Sequence, residues 1–133
     1  MPRSYISSYY NPNPYIPQTL SEIYDLLGSM WLGAPTFVDE TGHFPDQNIE
    51  TTFHQLIEGF GVVRKKLGEE RYAKLIDLAA RMKALFEADP EDANGKSDEG
   101  RKLLSEIEDL INEVRSRRVK ARLKDDEGEV TGD

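Results

Sequence analysis

The sequence contains no cysteine, and this absence removes several kinds of chemistry from consideration. Without thiols the chain cannot form disulfides, use a cysteine nucleophile or build a thiolate metal site. It also has no apolar run that approaches the roughly 20 residues needed to cross a bilayer. The N-terminus shows neither a charged start nor an apolar signal region. We therefore expect a protein that does not enter membranes and that resides in the cytoplasm.

Cationic side chains are missing from a long stretch of the first half. No lysine or arginine occurs between Arg3 and Arg64, although the chain has 133 residues and a formal net charge of −8. Seven acidic residues occupy this window: Glu22, Asp25, Asp39, Glu40, Asp46, Glu50 and Glu58. The window predicts a negative field over part of the molecule, which repels nucleic acid and attracts basic partners.

The first 18 residues are rich in tyrosine and proline. Residues 8 to 17 read SYYNPNPYIP, with three tyrosines, three prolines and no charged side chain. Proline removes backbone donors and favours extended conformations, so we predict an arm without regular structure over residues 1–18. We favour a strap that lies on the protein's own core, because tyrosine covers apolar surface while its hydroxyl stays hydrated. A free arm and an arm that docks on a partner remain the alternatives.

Hydrophobic periodicity predicts four amphipathic helices in the rest of the chain. The first begins with a capping box at Thr19 and Glu22 and ends at Gly33 and Pro35. The other three are predicted at 48–67, at 69–88 and from about 97–101 onwards. Gly59 and Gly61 weaken the second helix, so we expect either a bend or a close approach of another backbone there.

These elements predict an all-α fold, a four-helix bundle-like single domain. We expect an N-terminal arm at residues 1–18, a helical domain at 19–124 and a disordered acidic tail at 125–133. The connector at 33–47 contains Thr36-Phe37-Val38, which could form a short extended piece. The loop at 89–100 fails the ligand pattern of a calcium loop and is predicted to be a flexible acidic linker.

One constellation resembles a metal site in its spacing. Glu50, His54 and Glu58 are four residues apart, which places them on one face of the second predicted helix. Metal sites in helical bundles draw inward-facing ligands from several helices, however, and these three residues fall beside the apolar stripe. We therefore expect a solvated polar face, with no metal, no cofactor and no catalytic residue.

The basic stretch from Arg115 to Lys124 has two interpretations. Clustered positive charge is typical of a patch that binds nucleic acid or a membrane surface. It is equally typical of a helix C-terminus, where cations favour the negative end of the helix dipole. No aromatic residue interleaves for base stacking, and acidic residues follow at once, so we favour the second interpretation.

The connector after the first helix carries large apolar groups among acids, an arrangement that either folds over the core or forms the centre of an interface. We predict a partner-binding surface that contains both kinds of residue: Trp31, Phe37, Asp39, Glu40, Phe44, Asp46, Glu50, His54 and Glu58. In character rather than in motif, the chain looks like a bacterial immunity protein or antitoxin. That likeness implies a non-enzymatic inhibitor of a basic protein, such as a toxin domain, that acts by steric occlusion.

Two alternatives belong to other functional classes. The first is a metal-dependent helical enzyme built around the carboxylate and histidine site. The second is a structural adaptor subunit of a phage or secretion assembly, in which the fourth predicted helix would mediate self-association. Its apolar positions are too few for a long coiled coil, because heptads are not sustained over three or four repeats.

Overall fold

A computed structural model describes residues 15–38 and 47–120, and every regular element in these ranges is an α-helix. The helices are α1 (Leu20–Gly33), α2 (Ile49–Val62), α3 (Arg64–Leu67), α4 (Glu69–Glu87) and α5 (Lys96–Lys120). The all-α prediction is therefore confirmed for this part of the chain. The predicted disordered tail and most of the arm lie outside the described residues. None of the described helices is long and apolar enough to span a membrane.

The start of α1 follows only half of the predicted capping box. The Thr19 hydroxyl oxygen accepts from the Glu22 amide at 3.0 Å, as expected of an N-cap. The Glu22 carboxylate does not reach back to Thr19. It accepts instead from the Gln18 amide and from the Tyr15 hydroxyl, each at 2.8 Å. Glu22 therefore ties the end of the arm to the first turn of α1.

The arm meets α2 at Gly59, one of the two glycines that weakened the helix prediction. Pro17 is buried there, and a Cβ added at Gly59 would lie 3.3 Å from the Pro17 Cβ. The Gln55 side-chain amide donates to the Tyr15 carbonyl at 2.8 Å. Residues 15–18 thus lie on the helical body, as the strap interpretation requires, while residues 1–14 lie outside the described part.

The helix predicted over 48–67 is interrupted at one residue, Val63, and is otherwise helical from Ile49 to Leu67. A capping box of Asn48 and Thr51, with both hydrogen bonds at 3.0 Å, starts α2. The helix ends at Val62, and Val63 has backbone angles of φ −101° and ψ 17° before the single turn of α3. Val63, at this interruption, and Leu67, at the end of α3, are both buried in the core.

Neighbouring long helices run antiparallel. Arg71 near the start of α4 faces Glu113 late in α5, whereas Phe86 at the end of α4 contacts Gly100 early in α5. The same reversal relates α1 to α5 and α2 to α4. The ends of α1 and α4 therefore meet the starts of α2 and α5 at one end of the molecule, which we call the groove end.

One hydrophobic core fills the space between the helices. It contains 19 buried apolar residues, drawn from all five helices and from the positions next to them. Leu20, Ile23, Leu27 and Met30 supply the buried face of α1, as their periodicity predicted. The shared core makes 15–38 and 47–120 a single packed body.

Candidate partner-binding site

Phe37 lies in the core, although we had placed it in the partner-binding surface. Its side chain is 1% exposed and packs edge-to-face on Phe53 and Phe86, with ring centroids 5.6 and 5.4 Å apart. A turn at residues 34–36 and a φ of 60° at Phe37 direct the ring inward, so the predicted extended piece is wrong. Phe37 therefore closes the core at the groove end and is covered there.

Trp31 is the sequence-predicted aromatic residue that stays at the surface. It is 38% exposed, and its indole N–H donates to a Glu108 carboxylate oxygen at 2.8 Å. That hydrogen bond holds the ring against α5 and leaves one part of it open to contact. Trp31 thus lies at the surface, and its part in an interface stays a prediction.

Sequence reasoning missed Leu32 and Val38, the most exposed apolar side chains of this region. Leu32 is 90% exposed and Val38 is 53% exposed. The signal for Leu32 was in the pattern, since it lies two residues after Met30 and falls off the buried stripe of α1. Val38 gave no such signal, because its exposure depends on the turn that buries Phe37.

Leu32 and Val38 line an open groove of about 530 Å³ at the groove end. The end of α1, the turn that follows it and the loop after α4 form its walls. The lining residues are Ser29, Leu32, Gly33, Ala34, Pro35, Thr36, Val38, Gln47, Pro90, Glu91 and Asp92. The groove therefore combines exposed apolar side chains with two carboxylates.

Four predicted site residues, Asp39, Glu40, Phe44 and Asp46, lie outside the described residues. The described chain stops beside the groove at Val38 and resumes beside it at Gln47.

Glu50 is partly neutralised, which reduces the predicted negative surface at this point. Its carboxylate lies 2.8 Å from the Lys83 ammonium group on α4. The hydrogen bond to Glu50 raises the pKa of Lys83 and outweighs the opposing effect of partial burial. Two other acids of the window, Asp25 and Glu58, are exposed and form no ion pair with a described residue.

The predicted row of Glu50, His54 and Glu58 lies on the surface of α2. All three side chains are exposed on α2. Within residues 15–38 and 47–120, no three histidine, aspartate or glutamate side chains come together in a way that could hold a metal ion. The arrangement matches the solvated polar face expected from the sequence.

Asp89 gives the loop beside the groove a fixed shape, in contrast to the flexible linker that we predicted. It is 2% exposed, and its carboxylate accepts from the amides of Ala93, Asn94 and Ser97 at 2.7, 3.2 and 3.0 Å. Burial alone would raise the pKa of Asp89, but these hydrogen bonds outweigh it and hold the pKa below its usual value of 3.8. The loop thereby positions Glu91 and Asp92 at the groove.

The described residues thus form an all-α protein with a surface groove that is lined by apolar and acidic residues. Comparison with protein-family models, curated proteins and solved structures gave no match.

Proposed function

We propose that this protein is a non-enzymatic binding module that inhibits a basic protein partner by steric occlusion, in the manner of a toxin immunity protein or antitoxin. The observation that carries the proposal is the exposure of Leu32 and Val38 beside Glu91 and Asp92. Large exposed apolar side chains grouped with charged ones are characteristic of binding surfaces. The antiparallel contacts support a four-helix bundle-like scaffold, which would hold this surface rigidly.

Electrostatics supports a basic partner over an acidic one. The window from residue 4 to residue 63 contains seven acidic residues and no lysine or arginine, and Glu91 and Asp92 contribute carboxylates to the groove. Negative charge around an apolar centre speeds the approach of a positively charged protein and disfavours acidic competitors. The partner would cover the groove together with the exposed part of Trp31.

Affinity capture tests the proposal with matched variants. Immobilised wild-type protein should retain a basic protein from native cell extract at low salt, and the pair should form a stoichiometric complex. Leu32→Ser removes the most exposed apolar contact without touching the core, so retention should fall at least tenfold. Val62→Ser is the control, because Val62 is 47% exposed on α2, away from the groove, and should retain the partner fully.

Salt dependence provides an independent check on the purified pair. The association rate should fall steeply between low and physiological salt, because surface charges steer the encounter and are screened by ions. The captured protein should lose its own activity on binding. Failure to retain any basic protein at low salt, or equal retention by Leu32→Ser, would contradict the proposal.

A further inference from the structure

The C-terminal end of α1 concentrates backbone acceptors beside the groove. A helix C-terminus carries a partial negative charge that cations stabilise, yet the last turn of α1 contains no basic residue. The Ala34 and Phe37 amides donate to the carbonyls of Met30 and Gly33. Gly33, Ala34 and Pro35 at this end of α1 line the groove. The groove therefore borders the negative end of the α1 dipole.

Glu91 adds a full negative charge to the groove. Its side chain is exposed and forms no ion pair with a described residue. Asp92 is already held by Arg101, with hydrogen bonds of 2.8 and 3.2 Å, and Arg101 also contacts Asp98 at 2.9 Å. Two carboxylates around one guanidinium leave a charge of −1 in that cluster. The groove margin is therefore negative even after its internal ion pairs are counted.

The apolar part of the lining suits a long aliphatic stem. Leu32, Pro35 and Val38 all line the groove, and Leu32 and Val38 are largely open to solvent. Arginine combines such a stem with a planar group of five donors, which suits several carbonyl and carboxylate acceptors at once.

We propose that the groove receives an arginine side chain from a basic segment of the partner. The stem lies along Leu32 and Pro35, the guanidinium lies between Glu91 and the carbonyl end of α1, and apolar neighbours of the arginine cover Val38. This inference rests on the proposed function and identifies the group that the partner inserts at its binding surface.

A short defined peptide tests the assignment without knowledge of the partner. The probe has the sequence glycine, leucine, arginine, leucine, glycine, with both ends blocked. The control peptide carries citrulline, which has the shape of arginine without its charge. In a nuclear magnetic resonance titration, the arginine peptide should shift the backbone amides of residues 32–38 and 91–92 most strongly. The citrulline peptide should bind at least threefold more weakly.

Two variants and one control show whether the contacts are the proposed ones. Glu91→Gln removes the unpaired charge and should weaken the arginine peptide about twofold to fivefold while leaving the citrulline peptide unchanged, as expected for an exposed ion pair. Leu32→Ser should weaken both peptides. Glu70→Gln, an exposed change at the start of α4 at the opposite end, should alter neither.

The outcomes separate this inference from the proposed function. Equal binding of both peptides, or shifts spread evenly over the surface, would overturn the arginine site. If the arginine peptide binds elsewhere on the acidic surface, the groove assignment is wrong but the basic partner is still supported. If the peptide binds in the groove and no protein is captured from extract, the site stands and the inhibitor function is lost.

Discussion

At the scale of single residues, packing leaves no space for a larger residue at a few positions. Gly100 is the clearest example, because α5 passes over the ring of Phe86 at this residue. A Cβ at position 100 would lie 2.7 Å from the Phe86 Cε1 atom. Phe86 is fully buried and also packs on Phe37, so the ring has little room to move. A displaced Phe86 ring would push on Phe37, which lies at the groove end.

Gly100→Ala should lower the free energy of unfolding by about 1–3 kcal/mol, because a methyl group overpacks the site. Urea denaturation followed by circular dichroism measures the change. Gly61→Ala is the matched control, since a Cβ there meets nothing within 4 Å. The control should raise stability by about 0.4–1 kcal/mol through the lower conformational entropy of its unfolded chain. Equal effects of the two substitutions would contradict this account of Gly100.

Asp89 should make stability depend on acid pH. The folded protein holds the pKa of Asp89 below the unfolded value of 3.8, so the unfolded state binds more protons between these two values. The contribution of Asp89 is therefore complete above the unfolded pKa and is lost as the pH falls through the folded pKa.

Asp89→Asn should lower the melting temperature at pH 7 and flatten the decrease seen in the wild type below about pH 4. Melting curves between pH 2 and pH 7 measure both effects. Asp109→Asn, an exposed change on α5, serves as control and should retain the wild-type profile. An unchanged profile in Asp89→Asn would show that the loop does not depend on this carboxylate.

At the scale of elements, helix ends are set by local hydrogen bonds that the sequence shows only in part. Asn48 and Thr51 satisfy each other's backbone amides at the start of α2. Thr19 caps α1 alone, because Glu22 binds the arm instead. The interruption after α2 has no side-chain cap, and Val63 just before α3 and Leu67 at its end are both buried. Side-chain capping by nearby residues therefore explains the starts of α1 and α2, but it does not explain the end of α2.

Asn48→Ala should cost about 1 kcal/mol of stability, because it removes the side-chain acceptor of the α2 capping box. Chemical denaturation gives the change, and hydrogen exchange should show faster opening of the first turn of α2. Asn112→Ala, in the exposed middle of α5, is the control and should be neutral or slightly stabilising. A neutral Asn48→Ala would mean that packing alone positions the start of α2.

At the scale of the whole molecule, the antiparallel helices separate charge along their length. The basic residues of α3 and those in the last turn of α5 lie at the end opposite the groove. Glu91 and the Asp92 cluster lie at the groove end. This polarity would orient an approaching basic partner toward the groove and away from the opposite end. The basic cluster at the end of α5 is visible in the sequence, whereas its placement at the end opposite Glu91 follows from the antiparallel packing of the helices.

The single core predicts one cooperative unfolding transition. Trp31 is the only tryptophan and lies at the groove end, hydrogen-bonded to Glu108 of α5. Its fluorescence and the helical circular dichroism signal should therefore give coincident urea curves, as expected of a two-state domain. The Trp31→Phe variant, followed by circular dichroism alone, should retain a single transition. Separate midpoints in the wild type would show that the groove end opens independently.

The sequence by itself determined the helical class and the starts of the helices at Thr19 and Asn48, because periodicity and capping depend on residues a few positions apart. Only the tertiary structure decided the burial of Phe37, the pairing of Glu50 with Lys83 and the placement of Leu32 beside Glu91. Each of these joins segments distant in the chain, and no local pattern encodes such contacts. The core was therefore largely predictable, whereas the groove required the folded chain.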